Sequence, residues 1–306
     1  MSRYIVFIFL IIFIPNENRA QKVRIASWNI NTLSEKSGHS ILKNSIIRED
    51  RDYDILRNYA QEIGADIVSM QEMGSYNAVK RIFPEDKWEI LFSGNSSWEN
   101  LLLKNGNGQN IHTAIVVRKD TIKILKTSYL SMNTEGMYQN RGSRKAIEML
   151  FEVNGKEFWL LGIHLKSFCF LDRLENQYNS SCSILKLQID WLKEWINKKK
   201  ASNTPFIIAG DFNRKMNNSG NNDEAWLEIN QNNDLIRYPS YKRSKCRTAS
   251  KYKNSEPIDF FVMNQIAYRY FIKGSFSEFL YRDQDIKEIG RRLSDHCPII
   301  IDYDFH

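Results

Sequence analysis

The sequence predicts an α/β fold, on three observations. Pro205 to Asn213 reads Pro-Phe-Ile-Ile-Ala-Gly-Asp-Phe-Asn, and Phe206 to Ala209 is a short apolar run suited to a strand buried on both faces. Ahead of it, Ile184, Leu187, Trp191, Leu192, Trp195 and Ile196 recur at helical spacing, and Lys198 to Lys200 suit the negative end of such a helix. That stripe has the spacing of core residues, not of a cofactor box. Strand, helix, strand then recurs along the chain, as in proteins that layer helices on sheets.

The elements follow in order. Arg3, the apolar run Tyr4 to Ile14 and the polar stretch Pro15 to Ala20 read as a secretory signal peptide over residues 1–20, with an uncleaved N-terminal anchor as the alternative. The run is too short to span a bilayer comfortably. A secreted or periplasmic protein is therefore expected. Residues 21–306 contain no Pro-rich, Ser/Gly-rich or single-charge run and no repeat, so one domain is predicted, acting as a monomer. Removing Arg3, Glu17 and Arg19 lowers the formal charge from +7 to +6, and the mature chain stays basic. That favours an anionic partner, nucleic acid or an anionic membrane surface.

Lys22 to Trp28 alternates as a first strand and delivers Asn29 at its tip. Asp50 to Ile63 places Tyr53, Leu56, Tyr59, Ala60 and Ile63 at helical spacing, and Gly64 stops it. Asp66 to Met70 is the next strand, followed by Gln71 and Glu72. Trp88 to Phe92 and Thr113 to Val117 are further strands around the Asn/Gly-rich loop Gly94 to Asn110. The loop Ser131 to Ser143 leads through Arg141, Arg144 and Lys145 into the strand Ala146 to Val153, and Asn154-Gly155 turns it into Phe158 to Ile163 as a hairpin. His164 ends that strand, with Lys166 on the same side.

After the central strand come the Asn-rich loop Asn217 to Asn222 and a short helix near Glu224 to Ile229. The strand Ile258 to Met263 carries Asp259 near its start, and a buried carboxylate there needs a partner, for which a histidine is the obvious candidate. Ser294-Asp295-His296 precedes the last strand, Pro298 to Tyr303.

Cys169, Cys182, Cys246 and Cys297 admit three pairings. None has a CxxC or Cys/His spacing, which argues against a structural zinc site. Closing the polar loop between Cys169 and Cys182 would contribute roughly 3 kcal/mol by loop entropy.

Asp211 and Asn213, two apart at a strand end, point the same way and combine carboxylate acceptors with an amide, a set suited to a phosphate or a hydrated Mg²⁺. The other strands repeat the pattern. In order the chain reads Trp-Asn, Gln-Glu, Gly-Ile-His-Leu, Gly-Asp-Phe-Asn, Ile-Asp-Phe-Phe and Ser-Asp-His. This series resembles the endonuclease/exonuclease/phosphatase superfamily, with its DNase I-like fold, over nearly the whole mature chain. The resemblance implies a four-layer α/β sandwich of two packed sheets flanked by helices, with the site at one edge. It also implies phosphodiester or phosphomonoester hydrolysis assisted by Mg²⁺ or Mn²⁺.

By position, the resemblance makes Glu72 the main metal ligand, with Asn29 and Asp295 close to the ion. It makes His296 the general base, oriented by Asp259, while Asp211 and Asn213 hold the phosphate and position the nucleophile. His164 would bind or protonate a phosphate oxygen, and Arg144, with Arg141 as runner-up, would neutralise charge. His164 is similar to the DNase I and sphingomyelinase branches, which differ there from the abasic-site repair enzymes. DNase I has a glutamate partner for this histidine just before the strand Thr113 to Val117, where this chain has Ile111 and His112. A disulfide Cys169–Cys182 is implied by likeness to secreted bacterial members, leaving Cys246 with Cys297. The expected activity is that of a nuclease on DNA or RNA with little sequence preference. The alternatives are a sphingomyelinase-type lipid phosphodiesterase, for which Leu101 to Leu103 is a small apolar candidate, another phosphoesterase, and an inactive binding protein.

Overall fold

A computed structural model of the chain describes residues 21–94, 111–134, 144–218, 222–241, 243–247 and 255–306; the segment 1–20, Leu101 to Leu103 and Arg141 lie outside them. The first half gives β1 (Gln21–Leu33), α1 (Asp50–Ile63), β2 (Ile67–Met73), α2 (Tyr76–Ile82), β3 (Trp88–Phe92), β4 (His112–Arg118) and β5 (Lys123–Ser131). The second gives β6 (Lys145–Val153), β7 (Lys156–His164), α3 (Ser180–Ala201), β8 (Phe206–Asp211), α4 (Glu224–Ile229), β9 (Leu235–Tyr238), β10 (Asp259–Asn264), α5 (Gln265–Tyr268), β11 (Ser277–Glu278), α6 (Asp283–Glu288) and β12 (Ile299–Phe305).

The strands form two six-stranded sheets, ordered β11-β12-β1-β2-β4-β3 and β5-β6-β7-β8-β10-β9. Within β8, Ile207 and Ala209 pack between the sheets, while Phe206 and Ile208 pack under α3. In β1, Val23 and Ile25 face the other sheet, and Ala26, Trp28 and Ile30 face α1. Side chains alternate along a strand, so apolar runs with no polar member must be covered on both sides. The result is the expected four-layer sandwich: helices, sheet, sheet, helices.

Several elements differ from the sequence reading. The stripe of α3 is shifted: Leu185, Ile189, Leu192, Trp195 and Ile196 are buried, whereas Ile184, Leu187 and Trp191 are only half-buried. Two polar residues take buried places on that face because each has a partner. Gln188 Oε1 accepts the Lys166 N–H, and Lys199 pairs with Glu148 at 2.9 Å. β1 continues past Trp28 to Leu33, so Asn29 lies inside the strand, where the pairing with β2 slips in register. α2, β5, β9, α5, β11 and α6 were not foreseen. Ser75 caps α2 by accepting the Ala78 N–H. Both Cys169–Cys182 and Cys246–Cys297 are bonded. No helix among the described residues is long and apolar enough to cross a membrane.

Candidate active site

Three neighbouring strands bring three of the expected residues into one row. His164 of β7 pairs in register with Asp211 of β8, and Asp211 with Asp259 of β10. Following the alternation, His164 and Asp211 point into the space between the sheets. Gly210 makes this row possible, because a Cβ there would lie 2.0 Å from the Ile163 carbonyl oxygen. The facing sheet turns polar at the same end. Ser69 Oγ donates across to the Ala209 carbonyl at 3.0 Å, and Asn29 Nδ2 donates to Asp211 Oδ2 at 3.0 Å and to Glu72 Oε1 at 3.3 Å.

Glu72 reaches this space by breaking the alternation. Its backbone is left-handed (φ 65°), within the stretch where β2 slips against β4, and the carboxylate turns inward. A glutamate held in that region costs about 1–2 kcal/mol per residue. His164 Nε2 then lies 3.8 Å from Glu72 Oε1 and 3.6 Å from Asp211 Oδ2. The other ring nitrogen, Nδ1, is buried without a hydrogen-bond partner among the described residues. The His112 ring packs tilted against Phe92, centroids 5.0 Å apart. Asp211 accepts from the Asn213 N–H at 2.7 Å and from Asn213 Nδ2 at 3.1 Å, and Asn213 Nδ2 also donates to the Leu165 carbonyl.

His296 Nδ1 lies 2.6 Å from Asp259 Oδ2, the partnership expected of a carboxylate at the start of β10. Burial alone would lower the imidazole, but Asp259, Asp211 and Asp295 together hold it well above the ordinary histidine value. Asp211 moves the other way from a normal carboxylate. Burial and then the Asp259 charge push it up to about 7, against His296 and its hydrogen-bond donors. His164 is driven well below its ordinary value by burial, followed by the charges of Arg144, His296 and Lys166. The same site therefore pushes its two histidines in opposite directions, His296 up and His164 down.

A family model described as Endonuclease/Exonuclease/phosphatase family matches residues 26–296, a span that takes in every one of these side chains. The chain belongs to the endonuclease/exonuclease/phosphatase family. Solved structures agree on the fold. TDP2 from C. elegans superposes with a TM-score of 0.62 at 17% identity, covering 92% of this chain and 75% of that one. D. rerio TDP2 complexed with a single-strand DNA product gives 0.59 at 17%, covering 92% and 98%. The human nocturnin catalytic domain with a bound sulfate anion gives 0.58 at 15%, covering 93% and 95%. No curated protein matches the sequence.

Within this endonuclease/exonuclease/phosphatase site, two groups of ligating atoms are distinguishable. Asp211, Asp259 and His296 offer atoms all within 4.8 Å of one another. Each is already engaged, in the Asp259–His296 contact or in the bonds Asp211 accepts from Asn29 and Asn213. Glu72 and Asp295 are the carboxylates of the expected metal set, a chemistry that suits a hard divalent cation, and Glu72 Oε1 already accepts from Asn29. The Asn29 amide nitrogen faces the carboxylates, and its oxygen accepts the Asn31 N–H at 3.0 Å. Arg144 Nη1 donates to the Leu165 carbonyl at 2.6 Å, beside His164.

Sequence reasoning missed three residues that hold the site. Ser294 Oγ donates to the Asn29 carbonyl and accepts the His296 N–H. Tyr281 OH accepts from Trp28 Nε1 and donates to the His296 carbonyl at 2.8 Å. Arg48, fully buried, donates to five carbonyls: Ile30, Asn31 and Thr32 after Asn29, and Arg292 and Leu293 before Ser294. One signal for Arg48 was present. A cation two residues ahead of Asp50 is misplaced for the helix dipole and needs another reason to be there.

Proposed function

We propose that this protein is a secreted, divalent-cation-dependent phosphodiesterase that hydrolyses nucleic acid, DNA or RNA, with little sequence preference. The observation that carries it is the His164–Asp211–Asp259 row with His296 bonded to Asp259, facing Asn29 and Glu72 across the sheets. In this reading His296 takes the proton of the attacking water on Nε2, since Nδ1 is committed to Asp259. Asp259 stabilises the imidazolium that results. Asp211, held by Asn29 and Asn213, orients the nucleophile beside the phosphate, and the His164 side chain donates to a phosphate oxygen. Arg144 adds positive charge beside them. Glu72 and Asp295 hold the cation, Mg²⁺ or Mn²⁺, whose contribution is to neutralise developing charge on the phosphate. Asn29 fixes Glu72 in place by donating to it.

The nucleic-acid substrate is supported by the charge of +7 and by the single-strand DNA product bound to the structurally similar D. rerio TDP2. Phosphate contacts of this kind position a strand without reading its bases. Secretion is supported by the apolar run Tyr4 to Ile14 and by the two disulfides, which persist in oxidising compartments. The test is cleavage of plasmid DNA, RNA and sphingomyelin with Mg²⁺ and with a chelator. Cation-dependent cutting of nucleic acid, falling steeply with salt, is expected, and Glu72→Gln should remove most of it while the fold persists. Hydrolysis of sphingomyelin, with neither nucleic acid cut at low salt, would replace this reading with the lipid one.

A further inference from the structure

The loop that follows His164 displays aromatic side chains that neither the site nor the core uses. Phe168 is 71% exposed and Tyr178 wholly so. A lone exposed ring needs no explanation, but Phe168 also sits in left-handed backbone, at φ 72°. For a bulky side chain that is a genuine outlier, and such strain collects at ligand sites.

The strained ring is mounted on a rigid frame. Lys215 N–H donates to the Phe170 carbonyl at 3.1 Å, and the buried guanidinium of Arg214 donates to the carbonyls of Cys169 at 2.9 Å and Asp172 at 2.6 Å. Asn179 Nδ2 donates to the Phe168 carbonyl itself at 3.0 Å, and the Cys169–Cys182 bond closes the loop. At its near end, the Leu165 carbonyl accepts from both Asn213 and Arg144. Residues 213–215, directly after Asp211, thus hold both ends of the Phe168 turn. The ring is tied to the catalytic row. The Lys166 ammonium, 5.3 Å from the centroid of the Phe168 ring, lies between the ring and His164 in the chain.

We propose that Phe168 is a base-stacking subsite for single-stranded nucleic acid, receiving the face of a nucleobase next to the phosphodiester held at the His164–Asp211 row. This rests on the nuclease reading and narrows it to a strand whose bases are unpaired. An aromatic face with a cation beside it is the pairing that single-strand binders use, ring for base and ammonium for phosphate. A bilayer is the poorer occupant. The outer rim of the same loop carries Asp172, Arg173, Glu175 and Asn176, which insertion would strip of water.

The test compares single-stranded oligonucleotides that are identical except for one abasic residue, walked across the cleavage position, in Mg²⁺. In the wild type one position should be sensitive, its abasic substitution lowering kcat/KM by about 5- to 150-fold. In Phe168→Ala that ratio should fall toward one, and Phe168→Trp should keep it. Because the readout is a ratio between two substrates, general damage to the enzyme cancels. Phe168→Gly should also lose the ratio while its Tm rises, since glycine relieves the backbone. A ratio that survives in Phe168→Ala, or a wild type with no sensitive position, overturns the subsite and leaves the nuclease standing. A wild type that cuts no nucleic acid removes the nuclease reading and the subsite with it. Binding to zwitterionic vesicles that Phe168→Ala abolishes would assign the ring to a membrane.

Discussion

Arg48→Lys tests how far the site depends on a residue that meets no substrate. The five carbonyls bonded by Arg48 belong to two segments, one following Asn29 and one preceding Ser294, Asp295 and His296. Lysine keeps the charge but has three donors on one nitrogen and no planar fork, so at least two carbonyls lose their donor. A buried acceptor left without a partner costs about 1–3 kcal/mol, which gives about 2–6 kcal/mol for two. Burial lowers the Arg48 guanidinium to about 10, so it stays charged at working pH. A lysine in its place would be lowered toward neutrality and weaken further as pH rises. Asn31 and Thr32 also sit at φ 55° and 54°, and without the fork that strain would relax by turning the segment and moving Asn29. Urea unfolding should show a loss of about 2–4 kcal/mol, and kcat should fall about 10- to 100-fold with KM little changed. A stability loss below about 1 kcal/mol together with an unaltered kcat would refute the argument that this carbonyl cage holds the site.

Three further outcomes are expected. His296→Ala should cost about 10² to 10⁴ in rate, Asp259→Asn less, and the double variant should be little worse than His296→Ala; additive losses in log rate would show that the two do not act as a pair. Gly210→Ala should destabilise by about 3–5 kcal/mol, because its Cβ meets the Ile163 carbonyl, and an unchanged urea midpoint would mean β7 and β8 separate easily. In a chelator, Tm should fall as pH rises above about 6.5. His296, raised on folding, contributes stability that is lost as pH climbs through its folded value, and Asp211, raised to about 7, binds its proton more tightly folded than unfolded, so its ionisation also destabilises. His164, lowered on folding, acts in the opposite sense but only below its unfolded value, so it opposes the other two in acid and is flat above it, where only His296 and Asp211 lower stability. A Tm that is flat or rising over that range would contradict these environments.

What the sequence made legible was what short-range periodicity encodes. Phe206 to Ala209 and Ile258 to Met263 suited strands covered on both sides, and polar residues at the ends of such runs pointed to a site at the edge of the sandwich. Asp211 and His164 were found that way, and the cost of burying Asp259 near the start of its strand argued for a partner, for which a histidine was the obvious candidate. The phase of α3 was not legible, because Gln188 and Lys199 occupy buried positions on the strength of partners, Lys166 and Glu148, far away in the chain. β5 escaped because it lies at a sheet edge with Lys123 and Lys126 exposed, and an edge strand guarded by lysines has no apolar alternation to read. The inward turn of Glu72 was invisible for a different reason, since it comes from a backbone angle and a register slip, neither of which a residue type announces.

Strain is distributed in a way that connects these points. Among the described residues, the left-handed positions that are neither glycine nor asparagine are Thr32, Glu72 and Phe168. Asparagine tolerates that region, and its occurrences at Asn44, Asn154 and Asn203 are ordinary turns. Threonine, glutamate and phenylalanine do not tolerate it, and each costs of order 1–3 kcal/mol. Thr32 lies in the segment that Arg48 holds behind Asn29, Glu72 carries the carboxylate beside His164, and Phe168 tops the loop bonded to Asn213, Arg214 and Lys215. All three therefore border the same end of the sandwich. A fold selected only for stability would have replaced them with glycine or asparagine, or closed the register slip in β2. Their presence where Asp211 is also buried at a cost means that the packing of the two sheets must offset a site that destabilises the chain.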